Sequence, residues 1–238
     1  MTLRWPICFS LLVLAPALRA ATVSGAVRLT DSQDPGVRKH QDYSGVVVWL
    51  EPSTPVKDAL GTAARARMEQ RGKRFIPHVL AIQAGSSVEF PNFDPIFHNA
   101  FSSFSGQIFD LGLYAPGTSR DITFKRTGIV RVFCNIHPTM SAVIVVVRYP
   151  WFDVTRPSGA FSLGDVPPGE YTLHWFHERA SPETLRTLEA KVVVEGSDVA
   201  LRPVTISETG YLQTPHKNKY GHDYPQPPDE EGGYLGGH

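Results

Sequence analysis

The chain has 238 residues, and its 23 Lys and Arg residues are balanced by 23 Asp and Glu residues, so the formal net charge at neutral pH is +0. This balance argues against the basic surface of a nucleic-acid-binding protein and against a polybasic membrane-binding segment. We therefore expect no nucleic-acid partner. Once a leader is removed, the length suits one large domain or two small domains.

The N-terminal segment, residues 1–20, has the layout of a secretory signal peptide. One basic residue, Arg4, precedes the apolar stretch WPICFSLLVLAPAL, and small residues follow around Ala20. The apolar stretch is too short to favour a membrane span. We expect cleavage near Ala20 and export to the periplasm or the medium. Cys8 is then lost with the leader, and Cys134 remains as a single cysteine that can form no intramolecular disulfide.

Short segments rich in β-branched and aromatic residues, separated by Gly, Pro, Asp and Ser, dominate the rest of the chain and predict strands. In chain order they are TVSGAVRL, GVVVWLEP, VLAIQ, SVEF, DITF, IVRVF, SAVIVVV, AFSL, YTLHWF, KVVV and ALRPVTI. The stretch TPVKDALGTAARARMEQRG has a weak helical period and is equally consistent with a linker. An all-β sandwich or barrel architecture follows.

The end of the chain, residues 208–238, is rich in Gly, Pro, Asp and Tyr and has no apolar period that could bury a face. This composition predicts a disordered tail. Its three histidines, His216, His222 and His238, could capture a metal ion, but their irregular spacing in a flexible segment favours a solvated tail.

An unpaired cysteine in an exported protein indicates an intermolecular disulfide, a metal ligand or a small buried apolar residue. Cys134, His137 and Met140 form a C-x2-H-x2-M pattern between the strands IVRVF and SAVIVVV. The three side chains therefore belong to a connecting loop. A loop can fold its ligands around one point, whereas successive side chains of a straight strand face opposite sides.

A fourth candidate ligand is His98 in FPNFDPIFHNAF, which follows the strand SVEF and a turn. Two imidazoles, one thiolate and one thioether favour copper, and a trigonal His2Cys site with a long axial Met is the electron-transfer copper geometry. Calcium or magnesium would require oxygen ligands. A structural zinc site would use more thiolates, and the sequence marks no orienting group or oxyanion site for a Cys/His nucleophile.

The stretch 75–147 resembles the cupredoxins, the type 1 blue copper proteins. FIPHVLAIQAGSSVEFPNFDPIFHN is similar to the strand, Gly turn, strand and HN ligand of that family, and GIVRVFCNIHPTMSAVIVVV is similar to its terminal ligand hairpin. The short spacing between His137 and Met140 is most similar to amicyanin and pseudoazurin, within the plastocyanin-like members.

The resemblance implies one type 1 copper ion. His98, Cys134 and His137 would be its equatorial ligands, and Met140 would be its axial ligand. It also implies that the side chain of Asn99 ties the ligand loops together.

The segment VTRPSGAFSLGDVPPGEYTLHWFHE resembles the carboxypeptidase regulatory-like β-sandwich modules, and TVSGAVRL with YSGVVVWLEP resembles their opening strands. We expect a cupredoxin-like domain at 66–149, inserted between the halves of a second, smaller β-sandwich at 22–55 and 150–207. The alternative is a cupredoxin that begins with the N-terminal strands and is followed by a small C-terminal β unit.

Four aromatic residues of the second sandwich could form a platform for a carbohydrate or protein ligand, although core packing is the favoured role. They are Trp49, Trp151, Phe152 and Trp175.

The cupredoxin resemblance implies a one-electron carrier with a transient redox partner. The electron would leave through His137 beside Pro138, and the candidates for an apolar shell around the sulfur are Phe97, Phe101, Phe133 and Ile136. We do not expect an enzyme, because a blue site catalyses redox reactions only beside further copper centres and the sequence has no His-x-His cluster. Two alternatives stay open, namely a periplasmic copper carrier or store and a carbohydrate- or protein-binding module with a structural metal.

Overall fold

The computed structural model describes residues 19–56, 63–103, 106–211 and 216–225. The described residues are almost entirely β-structure, which confirms the predicted all-β class. The helices among them are α1 (Pro35–His40) and α2 (Pro182–Thr187). Neither helix has the length or apolar character needed to cross a bilayer. The predicted leader lies almost wholly outside the described residues.

The strands of the described residues are β1 (Ala21–Thr30), β2 (Val47–Pro52), β3 (Arg65–Arg67), β4 (Glu69–Gln70), β5 (Phe75–Ile76), β6 (Val79–Gln83), β7 (Ser87–Pro91), β8 (His98–Ser102), β9 (Phe109–Tyr114), β10 (Ser119–Thr123), β11 (Gly128–Phe133), β12 (Ser141–Val147), β13 (Phe152–Val154), β14 (Ala160–Val166), β15 (Gly169–Phe176), β16 (Ala190–Val194), β17 (Val199–Ala200) and β18 (Val204–Ser207).

One pair of sheets combines strands from both ends of the described chain. The first sheet has the order β14-β1-β17, with β18 also paired to β1, and the second has the order β13-β2-β15-β16. β2 runs antiparallel to β15, from Val47 opposite Phe176 to Pro52 opposite Tyr171. The core between these sheets is apolar and aromatic, and includes Val23, Leu50, Phe161, Tyr171 and Trp175.

The other pair of sheets is built from the strands between β2 and β13. Its sheets have the orders β10-β7-β3 and β6-β12-β11-β8-β9. The core between them includes Met68, Phe90, Phe124, Val130 and Ile144. Cys134 and Met140 belong to the same buried cluster, so the predicted ligand loop begins and ends in this core.

β12 is the strand through which the two pairs of sheets meet. Ile144 and Val146 face the core beside Cys134. The residues of its other face share a third apolar cluster with β2 and β15, made of Val47, Val143, Val145, Val147 and Phe176. Because β12 is buried on both faces, its sequence SAVIVVV is a continuous apolar run and does not alternate.

Trp151 and Trp175 are buried in the core of the first pair of sheets, as the favoured packing role requires. Trp49 and Phe152 are partly buried against the cluster around β12. The Trp49 indole also stacks on the His174 imidazole at a centroid distance of 5.3 Å.

The two helices were not predicted, because each is too short to show an apolar period. Each one begins with an N-cap side chain followed by Pro, which is a favourable helix start. The Asp34 carboxylate accepts a hydrogen bond from the Gly36 N–H at 2.7 Å, and the Ser181 hydroxyl accepts one from the Thr184 N–H at 3.1 Å. In the weakly helical stretch after β2, residues 57–62 lie outside the described residues, and β3 and β4 are strands.

Residues 208–211 and 216–225, which belong to the predicted disordered tail, are among the described residues and contact distant parts of the chain. The composition argument considers only apolar burial, whereas these residues are held by hydrogen bonds and ring contacts to distant partners. The remaining tail, including His238, lies outside the described residues.

The carboxylate of Glu208 is the clearest of these anchors, with a side chain only 2% exposed. It accepts hydrogen bonds from His177 Nε2 at 2.8 Å, Arg179 Nε at 2.9 Å and the Ser32 hydroxyl at 2.6 Å. Burial acts to raise the pKa of Glu208, but these hydrogen bonds outweigh burial and lower the pKa to about 2. The ionised form is therefore favoured in the folded protein.

We expect the free energy of unfolding to fall as the pH is lowered from about 4.5 to about 2, because an unfolded Glu208 binds its proton before the folded one does. Glu208→Gln should lower the free energy of unfolding at pH 7 by about 2 kcal/mol and flatten this acid dependence. Urea unfolding between pH 7 and pH 2.5 measures both effects. Glu195→Gln, at an exposed carboxylate, is the control. If the free energy of unfolding depends on pH equally in the two variants, the assignment of this acid dependence to Glu208 is contradicted.

Candidate metal centre

The loop between β11 and β12 runs from Cys134 to Met140 and is closed by its own backbone. The Cys134 N–H donates to the Met140 carbonyl at 3.1 Å, and the Met140 N–H donates to the His137 carbonyl at 3.1 Å. Below the loop, Phe133 pairs with Ser141 in the antiparallel ladder. The hairpin thus brings both ends of the C-x2-H-x2-M pattern to one edge of the core.

His98 reaches the same edge from a neighbouring strand. It is the first residue of β8, which pairs with β11 at Phe101 and Phe133. Its imidazole is 0% exposed. The strand that begins at His98 and the strand that leads into the Cys134 loop are therefore neighbours in one sheet.

Three potential ligand atoms converge between these loops. His98 Nδ1 lies 3.1 Å from His137 Nδ1, and the Cys134 sulfur lies 3.5 Å from His137 Nδ1 and 3.9 Å from His98 Nδ1. In the described part of the chain, this is the one group of three or more His, Cys, Asp or Glu side chains whose ligand atoms converge. His216 and His222 are not part of it.

A carboxylate sets the tautomer of His98. Asp94 Oδ2 accepts a hydrogen bond from His98 Nε2 at 2.8 Å. Burial acts to raise the pKa of Asp94, but the N–H groups of Lys73 and Gly72 and the His98 imidazole lower it overall. Because the ionised carboxylate can only accept, Nε2 carries the proton and the lone pair of Nδ1 faces Cys134 and His137.

The electrostatics of His137 suit a metal cation, whereas those of Cys134 in the metal-free chain favour the thiol over the thiolate. Burial, with the neighbouring His98, lowers the pKa of His137 and favours the neutral imidazole that binds metals. Burial raises the pKa of the Cys134 thiol, although backbone N–H groups of Ile136, Asn99 and His137 act in the opposite direction. The donor set of two imidazole nitrogens and one sulfur fits copper, which accepts both kinds of ligand.

The side chain of Asn99 links the two segments that carry the candidate ligands. Its side-chain carbonyl accepts a hydrogen bond from the Asn135 N–H at 3.3 Å. Its side-chain amide donates to Asp110 Oδ1 at 2.7 Å and to the Gly112 carbonyl at 2.9 Å. The strand of His98, the loop of Cys134 and β9 are thus joined through one side chain.

Met140 is 0% exposed and lies in the buried cluster that contains Cys134. Its assignment as the axial ligand stays a prediction.

None of the four residues expected to form the apolar shell belongs to the buried cluster that contains Cys134. Phe97 and Ile136 are 55% and 43% exposed, so they do not enclose the sulfur. Phe101 and Phe133 are buried and pack on each other with ring centroids 5.9 Å apart. Phe133 directly precedes Cys134, and successive residues of a strand face opposite sides. The apolar residues clustered with Cys134 include Met68, Phe90 and Tyr114.

The sequence interpretation missed Asp94 as a functional residue. The Asn92 side-chain carbonyl accepts the Asp94 N–H at 3.0 Å, and this turn places the carboxylate four residues before His98. An Asn/Asp turn just before a histidine candidate was the available signal, because a metal-binding imidazole generally donates its second ring N–H to such a partner.

Comparison with known proteins gives similarities in structure only. No protein-family model matches the sequence, and no curated protein matches it. A purple cupredoxin from Nitrosopumilus maritimus is 21% identical over 34% of this chain and 99% of that chain, with a TM-score of 0.33. Amicyanin from Paracoccus versutus is 21% identical over 41% of this chain and 97% of that chain, with a TM-score of 0.33.

A copper-containing nitrite reductase from Thermus scotoductus is 24% identical, with a TM-score of 0.34. This match covers 51% of the present chain but only 28% of the reductase chain. The function proposed below rests on the geometry and donor chemistry of the site.

Asp94→Asn is expected to weaken copper binding about tenfold, because the neutral amide no longer enforces the Nε2–H tautomer of His98. A competition titration against a chelator of known copper affinity measures this change, and circular dichroism establishes that the variant is folded. Asp121→Asn, at an exposed carboxylate of β10, is the matched control. Equal affinities for the two variants would show that Asp94 does not orient the ligand.

Proposed function

We propose that this protein is an exported one-electron carrier that holds a single type 1 copper ion. His98, Cys134 and His137 would be its equatorial ligands, and Met140 its axial ligand. The observation that carries the proposal is the convergence of two imidazole Nδ1 atoms and one thiol sulfur within 3.9 Å of one another. When bound, copper supplies a one-electron couple.

The residues around the site would hold the ligand atoms in place in both oxidation states. Asp94 fixes the orientation of the His98 ring. Asn99 ties the strand of His98 to the loop of Cys134. Cys134 and His98 are fully buried, so water is kept away from both ligand atoms. Ligands held by such contacts move little when the charge changes, which favours rapid electron transfer.

A surface for a transient redox partner is proposed beside His137. This imidazole is partly exposed and Pro138 is exposed. The two loops that carry His98 and His137 also present exposed apolar side chains, namely Phe93, Phe97 and Ile136. A small apolar surface of this kind suits a partner that binds briefly and leaves.

The remaining parts of the proposal concern export and domain organisation. Residues 1–20 would direct export and would then be removed. A copper-binding domain at 66–149 would be inserted between the halves, 22–55 and 150–207, of a regulatory-like sandwich, and the pairing of β2 with β15 supports this arrangement. A carbohydrate or protein ligand of that sandwich is a further proposal, without an identified site.

The metal centre is tested by loading the mature chain with Cu(II) and recording its visible and EPR spectra. We expect an intense thiolate-to-copper band and narrow hyperfine splitting, both lost in Cys134→Ser because the sulfur ligand is gone. His40→Ala, at an exposed histidine of α1, should keep the wild-type spectra.

Two further outcomes separate the alternative functions. Reversible voltammetry with copper retained in both oxidation states supports an electron carrier. Rapid transfer of copper to a chelator, together with the lack of a reversible redox couple, would instead indicate a copper carrier. A pale spectrum unaffected by Cys134→Ser would overturn the type 1 site and leave a binding module with another metal role.

A further inference from the structure

The C-terminal segment 216–225 packs against the outer side of the Cys134 loop. The His216 imidazole stacks on the Phe133 ring with centroids 4.2 Å apart and an interplanar angle of 25°. The Tyr224 ring meets His216 edge-on at 5.2 Å. The Tyr224 hydroxyl donates to the Cys134 carbonyl at 2.7 Å. The backbone of the sulfur ligand is therefore bonded directly to this segment.

Lys219 of the same segment completes a closed ring of four hydrogen-bonded residues. Its backbone N–H donates to Asn135 Oδ1 at 3.0 Å, and its Nζ lies 2.7 Å from Asp110 Oδ2. Asp110 Oδ1 accepts from the Asn99 amide, and Asn99 Oδ1 accepts from the Asn135 N–H. The ring therefore joins four parts of the chain. They are β8, which begins at His98, the residue after Cys134, β9 and the C-terminal segment.

The contacts fall where the ligand loop lacks bonds of its own. The loop backbone is closed by two bonds that involve Cys134, His137 and Met140. The Cys134 carbonyl oxygen and the Asn135 side chain take no part in these two bonds. Tyr224 and Lys219 supply the donors that pair with them, at a site 90 and 84 residues away in the sequence.

We infer that residues 216–225 form a clasp in which Tyr224 and Lys219 are positioning residues for the ligand loop. The clasp limits the opening of residues 134–137 and so slows loss of the metal. The restricted opening of the loop is a property of the chain itself, whereas the slower loss of metal rests on the proposed copper function.

The first test is amide hydrogen exchange of the metal-free full chain. In Tyr224→Phe the ring remains and only the hydroxyl donor is lost, so the amides of Asn135 and Ile136 should exchange about fivefold faster, the equivalent of about 1 kcal/mol for one hydrogen bond. Amides of β15, in the other pair of sheets, should keep their wild-type rates. Lys219→Met should act in the same direction, because it removes the bond to Asp110.

Tyr211→Phe is the matched control, because Tyr211 belongs to the C-terminal part of the chain, lies outside residues 216–225 and is 38% exposed. His222→Ala is a second control, because His222 is one of residues 216–225 but its side chain is exposed. Loop amides that exchange at the wild-type rate in Tyr224→Phe overturn the clasp. Faster exchange throughout the molecule overturns the positioning role in favour of general stabilisation.

The second test uses the copper-loaded protein and a Cu(I) chelator. The rate of copper release should rise about fivefold in Tyr224→Phe, and the thiolate-to-copper band should shift, whereas Tyr211→Phe should leave both unchanged. If the wild-type chain shows no thiolate band, the copper function fails while amide exchange still decides the clasp. An unchanged release rate with faster loop exchange overturns the role in metal retention alone.

Discussion

The antiparallel pairing of β11 with β12 is the constraint on which the rest of the structure depends. Its register places Phe133 opposite Ser141, so the residues between them must form a loop over the end of the core. The same β12 has one face in the core that contains Cys134 and the other against β2 and β15. One strand therefore sets the position of the metal centre and joins it to the second pair of sheets.

Three carboxylates, two of them buried and one exposed, join parts of the molecule that strand pairing does not connect. Asp94 orients His98, Asp110 receives bonds from Asn99 and Lys219, and Glu208 joins the second half of the chain to Ser32. Burial alone would raise the pKa of each acid, and in each case the donors around it lower the pKa instead. An ionised carboxylate offers several lone pairs at one point, which suits the junction of chain segments far apart in sequence.

The sequence predicted the elements whose local pattern agrees with their final environment. VLAIQ and SAVIVVV coincide with β6 and β12 because β-branched and apolar residues fill every position except the terminal Gln83 and Ser141. The ligand loop was predictable because Cys134, His137 and Met140 have distinctive chemistry and lie between two such strands. β8 and β9 were missed, because His98 and Asn99 in one strand and Asp110 and Gly112 in the other lower the local strand propensity. Pairing of β8 with β11, and of β9 with β8, imposes their extended conformation.

The hydrogen bond between Ser32 and Glu208 joins residues 176 positions apart. β1 likewise pairs with β14, β17 and β18 across most of the described chain. Contacts of such high contact order carry a large loop-closure cost and form slowly. The strands that bear the candidate metal centre follow one another without such a gap, and all of them precede β14 to β18 in the chain. The metal-bearing sandwich can therefore assemble first, and it then brings β2 and β13 together so that the surrounding sheets can close around it.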